Sequence, residues 1–232
     1  MTVTVTVTPL STSDARLQAF RSSAWFAALA DDLQAWLAEN ASPLALAPGQ
    51  RLFSRGEATE AMYFVVDGAI RVTSFSADGR EALLTFAENP QWFSESSLFD
   101  GAPHSHDAWA ESDALLLRIG QPAFLAFLER HPAHWRALGV LLAQKLKLAF
   151  IGLEGVALLP LPTRLAQRLV AIATGYGDWN GRNKQVIAVQ QDQLGAMLGL
   201  SRQTVNQVHK DFEAQGLVRR TRGSVEIVDF DR

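Results

Sequence analysis

Apolar positions recur every three or four residues between Asp14 and Glu39. Phe20, Trp25, Phe26, Leu29, Leu33, Trp36 and Leu37 share a stripe, which predicts one or two amphipathic helices. From Leu44 to Ile119 the texture changes. The runs Met62–Val66, Ala69–Phe75 and Ala82–Phe86 lie between turn signals at Pro48-Gly49, Gly56, Asp67-Gly68, Asp78-Gly79 and Gly101 to Pro103. Short apolar runs cut by such punctuation predict antiparallel strands rolled into a barrel or jelly roll. Asp78-Gly79 is the strongest hairpin signal, because both residues tolerate the positive φ of a tight turn.

After Pro122 the helical period returns for about thirty residues. Trp135, Gly139, Leu142, Leu146, Ala149, Leu153 and Val156 alternate at intervals of four and three, a heptad seam. Residues before Leu138 are expected to lie on the chain's own barrel. Beyond them the stripe calls for a second helix, and the small residues Gly139, Ala143, Ala149 and Gly152 permit its close approach, so the seam predicts a homodimer. Pro160 and Pro162 then break the helix, because proline lacks an amide donor and restricts its predecessor. A helix over Thr163–Ala173, a polar loop over Gly175–Asn183 and a strand over Gln185–Val189 follow.

The pattern divides the chain into a leader with helices (1–43), a β-roll (44–121), a long dimerisation helix (122–157), a hinge (158–162) and a C-terminal unit (163–232). The fold class is α+β: a double-stranded β-helix or jelly-roll sensor, a long helix and a winged helix-turn-helix. Charge sharpens this division. Residues 1–159 carry 11 Lys and Arg against 17 Asp and Glu, while residues 160–232 carry 10 against 7, so an acidic part precedes a basic one. That asymmetry suits a sensor joined to a nucleic-acid module. The chain has no cysteine, which excludes disulfides, Cys-ligated zinc and thiolate-bound iron–sulfur clusters, and a reducing cytoplasm is the expected home. No apolar run reaches the roughly 18 residues of a membrane helix, and Met1–Thr8 alternates Val and Thr without signal-peptide character.

The chemistry concentrates between Gln190 and Asp229. Gln191–Leu198 forms a short helix, Gly199 turns, Leu200 plugs the turn, and Ser201 caps a second helix running to about Gln215. Val205, Val208 and Phe212 face inward, leaving Arg202, Gln203, Asn206, Gln207 and Lys210 on the outer face. Arg grips guanine through two hydrogen bonds, and Gln or Asn grips adenine likewise. Ser201 and Thr204, beside a positive helix N-terminus, suit phosphate. The run Leu217 to Val228 predicts a wing hairpin whose basic limb, including Arg222, meets the DNA backbone. No Gly-x-Ser-x-Gly or phosphate loop ending in Gly-Lys is present, so no enzyme is expected.

Leu200-Ser201-Arg202-Gln203-Thr204-Val205 resembles the recognition-helix opening of the Crp/Fnr family of bacterial regulators. Leu52-Phe53-Ser54-Arg55-Gly56-Glu57, followed by Met62 to Gly68, is similar to that family's cyclic-nucleotide-binding barrel. The resemblance implies an effector-controlled dimer on an inverted repeat, contacting RNA polymerase, with the loop 175–183 as candidate contact. It also implies that Arg202 reads guanine, while Gln203 and Gln207 replace the family's Glu and second Arg and alter the half-site. In the phosphate cassette Phe93-Ser94-Glu95-Ser96-Ser97 retains the ribose-binding Glu at Glu95. With Trp109 fixing the register, His106-Asp107 replaces the family's Arg-Ser, and Ala149-Phe150 replaces its adenine-contacting Thr-Ser. Exchanging a fixed cation for imidazole beside a carboxylate removes the attraction for a cyclic phosphate, which argues against cyclic AMP.

Three other sensor readings stay open: another nucleotide such as cyclic di-GMP, haem bound through histidine, and a ligand-free constitutive dimer. The fourth is enzymatic. His104, His106 and Glu111 fit a cupin-type His-x-His-x4-Glu metal motif, without the motif's usual glycine or a later histidine.

Overall fold

A computed structural model describes residues 10–79, 81–174, 185–187, 189–221 and 223–230. The alternating Met1–Thr8 segment, the loop 175–183 and Arg222 lie outside the described residues. No helix among the described residues is long and apolar enough to cross a membrane.

Three helices lead the chain: α1 (Ser13–Phe20), α2 (Ala24–Ala27) and α3 (Asp31–Asn40). Eight strands follow: β1 (Ala41–Leu46), β2 (Arg51–Phe53), β3 (Ala61–Asp67), β4 (Ala69–Phe75), β5 (Glu81–Glu88), β6 (Trp92–Phe93), β7 (Asp107–Ala110) and β8 (Ala114–Gly120). A one-turn helix, α4 (Ser97–Asp100), lies between β6 and β7. The strands make two antiparallel sheets ordered β1-β8-β3-β6 and β2-β7-β4-β5, the expected roll.

The aromatic leader explains why β3 reads as a continuous apolar run. Tyr63 and Val65 face the interior of the roll with Phe53, Phe93 and Leu116. Met62 and Phe64 face outward, where Phe20, Phe26 and Trp92 cover them. A strand buried on both faces loses its alternation. Indole donors fasten the cover: Trp92 Nε1 donates to Ser23 Oγ at 3.2 Å, and Trp25 Nε1 donates to the Ala137 carbonyl at 2.8 Å.

The thirty-residue helix expected after Pro122 is two helices. α5 (Gln121–Arg130) ends at His131, whose φ of −127° and ψ of 65° are not helical, and a 3-10 turn over Pro132–His134 precedes α6 (Trp135–Leu158). Pro132 is the cause, since it bars the α conformation to the residue before it. Along α6 the seam also divides. Leu138 and Leu141 are buried against the roll, and Trp135 meets Phe99 with ring centroids 5.2 Å apart. Gly139 and Leu142 are half-buried, Ala149 is exposed, and Leu146, Leu153 and Val156 are 55%, 64% and 61% exposed.

α7 (Leu161–Ala173) begins two residues earlier than its predicted start, because Pro162 occupies the first turn, where no amide donor is required. The remaining elements are β9 (Val186–Ile187), α8 (Gln191–Leu198), α9 (Arg202–Ala214), β10 (Val218–Thr221) and β11 (Ser224–Ile227), with the strands in a β10-β11-β9 sheet. Their core joins Leu165, Leu169, Leu194, Val205, Val208 and Phe212. Leu83 and Phe86 of β5 enter this same core, so the C-terminal unit rests on the roll. Gln193 Nε2 donates to Glu111 Oε1 at 2.6 Å across that contact.

Candidate nucleic-acid interface and sensor pocket

The turn between α8 and α9 is held by three local devices. Gly199 takes φ of 67°, a left-handed conformation that favours glycine, and closes α8. The Leu200 amide donates to the Gly195 carbonyl at 2.8 Å. A Cβ on Gly195 would stand 2.6 Å from the Leu200 carbonyl oxygen, so the crossing of the two helices depends on that glycine. Ser201 Oγ then accepts from the Thr204 amide at 3.1 Å, capping α9.

Capping sets the rotation of α9. Val205, Val208 and Phe212 are buried, and Arg202, Gln203, Gln207 and Lys210 are exposed on the other side. Gln207 Nε2 donates to Asp211 Oδ1 at 3.0 Å, a bond at the surface. Asn206 differs from its neighbours, being half-buried. Its Oδ1 accepts from Arg220 Nη1 at 2.9 Å and from Gln191 Nε2 at 3.3 Å, tying α9 to the wing and to α8.

The wing is less cationic than its sequence implied. Arg219 pairs with Glu226 across the hairpin at 2.8 Å, and Arg220 makes a 2.7 Å ion pair with Glu213. Hydrogen bonds from the Arg220 amide and guanidinium hold the Glu213 carboxyl below its usual pKa. Beneath this pair lies His209, fully buried, with no hydrogen-bond partner for either ring nitrogen. Burial, aided by the Arg220 charge, pushes its pKa down to about 4. The helical pattern gave no sign of this, since His209 sits beside Val208 at a boundary position.

The sensor cassette closes on itself. Ser94 takes a positive φ of 70°, and its buried hydroxyl has no hydrogen-bond partner. Glu95 is 4% exposed and Ser96 is exposed. The Glu95 carboxylate receives Lys145 Nζ of α6 at 2.7 Å, and the same ammonium donates to the Trp92 carbonyl. The helical period along α6 gave no sign that Lys145 would enter the cassette.

His106 bonds the Ser105 hydroxyl at 2.8 Å through Nδ1, and burial, then the Arg55 charge, lower its pKa, so the ring is neutral near pH 7. Asp107 Oδ1 accepts from the Arg55 amide at 3.2 Å. On α6 Ala149 and Phe150 are exposed, with Phe150 at 61%.

The cupin-like alternative is corrected. His104 stacks flat on Phe53 with ring centroids 3.6 Å apart, inside the roll. Glu111 instead faces Arg71 at 3.7 Å and Gln193, engaged in the contact between the two units. The one group of three metal-type donors among the described residues is Asp32, His131 and His134. The spacing of His104, His106 and Glu111 fits a motif whose side chains the strands aim in different directions.

A small-molecule-type β-roll joined through a long helix to a winged helix-turn-helix defines a sensor coupled to a DNA reader. Comparison with known proteins gives the same division: a cyclic nucleotide-binding domain matches residues 43–131, and a Crp-like helix-turn-helix domain matches residues 163–232. The chain belongs to the Crp/Fnr family of DNA-binding transcription regulators. It is similar to the CRP-like cAMP-activated global transcriptional regulator of Mycobacterium tuberculosis, with 27% identity over 197 residues, covering 84% of this chain and 88% of that protein. The cyclic AMP receptor protein of Thermus thermophilus is 29% identical over 180 residues, 77% of this chain and 80% of the relative. The structure of FixK2 from Bradyrhizobium japonicum shares the fold, with a TM-score of 0.71 at 19% identity over 82% of this chain and 93% of that one.

Proposed function

We propose that two copies of the chain join along the exposed half of α6 and read an inverted repeat with paired α9 helices, under the control of the β-roll. The row Arg202, Gln203, Gln207 and Lys210, facing solvent from a helix whose start is fixed by the Ser201 cap, carries this reading. Arg202 takes guanine O6 and N7. Gln203 and Gln207 read the neighbouring bases, and Ser201, Thr204, Lys210 and Arg222 hold the backbone. Asn206 braces the wing, since its carbonyl oxygen already accepts two bonds from within the protein. The loop 175–183 meets RNA polymerase, and the protein acts on DNA in the cytoplasm.

Relatives named for cyclic AMP make that nucleotide the first ligand to test, and the residues of this cassette disfavour it. A ribose hydroxyl must displace Lys145 from Glu95, and a cyclic phosphate would meet neutral His106 beside Asp107 instead of a guanidinium. Phe53, Tyr63, Phe93 and stacked His104 also fill the inside of the roll. The ligand is therefore another nucleotide or a different small molecule. The ion pair that closes the cassette supports a second reading, a constitutive dimer with a shut sensor.

In-vitro selection of bound DNA, repeated with a panel of nucleotides, tests both parts. A symmetric motif is expected, with guanine opposite Arg202 and no change on adding cyclic AMP. Enrichment of no motif, or of one without symmetry, overturns the reading; a motif that requires cyclic AMP overturns the assignment of the sensor.

A further inference from the structure

The geometry points to a divalent-cation site of two imidazoles and one carboxylate, formed by Asp32, His131 and His134 where α3 meets the base of α6. The ligating atoms of the three residues all lie within 4.8 Å of one another. They come from three places in the chain: the second residue of α3, the residue that closes α5, and the 3-10 turn before α6. Sequence spacing relates the two histidines but not the aspartate, which is 99 residues from His131, so the fold alone assembles the set.

Each donor is oriented by something other than a metal. The Phe127 ring stacks on His131 at 4.6 Å and on His134 at 5.6 Å between centroids, and Trp36 stacks on Phe127 at 4.7 Å. Both imidazoles therefore stand on one apolar platform. Asp32 Oδ1 accepts from the Leu33 amide at 2.9 Å, which turns Oδ2 toward His134 Nε2 at 3.0 Å. A cation takes the place of the hydrogen between those two atoms. Bonds of about 2.1 Å place the donors of a tetrahedral ion roughly 3.4 Å apart. His131 and Asp32 are exposed and reach that spacing by side-chain rotation.

Two nitrogens and one oxygen form a borderline donor set that suits zinc or its first-row neighbours better than calcium or magnesium. Water completes the coordination. An ion here ties α3 to the α5–α6 junction and so fixes the root of the helix along which the dimer forms.

The test uses full-length, tag-free protein stripped with chelator, titrated with zinc chloride in a calorimeter and assayed for bound zinc after gel filtration. One zinc per chain is expected, with a higher melting temperature when zinc is present. His131→Gln and His134→Gln each abolish the stoichiometric uptake, and Asp32→Asn weakens it by roughly tenfold or more. Because His131 is exposed, His131→Gln melts like the parent without zinc and loses only the shift that zinc produces. Uptake by the parent of no zinc, or equal uptake by the parent and both histidine variants, overturns the site and leaves a hydrogen bond between Asp32 and His134.

Discussion

The winged helix and the β-roll both hold a cluster of polar side chains, and the clusters point opposite ways. On α9, Arg202, Gln203, Gln207 and Lys210 are exposed on a rigid, capped helix. In the cassette Glu95 is buried and answered by Lys145, and Asp107 is held by the Arg55 amide. The first cluster keeps its hydrogen-bonding capacity for a partner outside the chain. In the second, Glu95 and Asp107 are answered within the chain, so an effector that uses Glu95 must break a charge-assisted contact before it gains one. A family-like motif at the sensor is therefore weaker evidence of ligand binding than an exposed row on the reader is of DNA binding.

Removing the outward guanidinium gives the largest expected effect. Arg202→Ala costs about 1 to 3 kcal/mol in each half-site, read as weakened binding and relaxed choice at one base position in a band-shift series. Arg202→Lys restores phosphate attraction without restoring the choice of guanine, because a lone ammonium lacks the paired geometry. Unchanged base preference in Arg202→Ala would place specificity elsewhere on α9.

His209 is the inward exception on the reading helix. Its folded pKa of about 4 lies below the ordinary 6.5, so the unfolded chain takes up the proton first as pH falls. Its contribution to stability is complete above about pH 6.5, declines between there and about pH 4, and levels off below. The expected loss is about 3 kcal/mol, from the size of the shift. Denaturant melts at several pH values should show a decline across that window, diminished in His209→Leu. An equal decline in the variant would assign the proton uptake to another group.

Lys145→Met sharpens the sensor side of the comparison. It leaves Glu95 buried without its counter-charge and costs on the order of 2 kcal/mol, less than a fully buried pair because Lys145 is 37% exposed. A thermal melt should show the loss, and Lys145→Met with Glu95→Gln should recover part of it. No loss in the single variant would mean that Glu95 finds solvent.

Local signals made the reader legible before its structure was known. Gly199, Ser201 and the spacing of Val205, Val208 and Phe212 fix turn, cap and face within a few residues of each other, and period alone carries that information. The β-roll was legible as a class from its punctuated strands. Its site was not, because the group that decides it, Lys145, lies 50 residues beyond Glu95 and meets it only after α6 folds against the roll. The wing shows the same limit on a smaller scale: Arg219 and Arg220 read as free cations until Glu226 and Glu213 are placed beside them. The sequence puts the change from roll-facing to exposed residues on α6 near Leu138, and the structure keeps Leu141 buried as well, so the change comes about a turn later.

The central claim is that paired α9 helices enter successive major grooves on one face of an inverted repeat. Adding about five base pairs between the half-sites turns one groove to the opposite face of the duplex. Binding of the full chain to the altered repeat should fall to the level of unrelated DNA, and an addition of about ten should restore part of it. Equal affinity for the parent repeat and the half-turn insertion would contradict the paired arrangement.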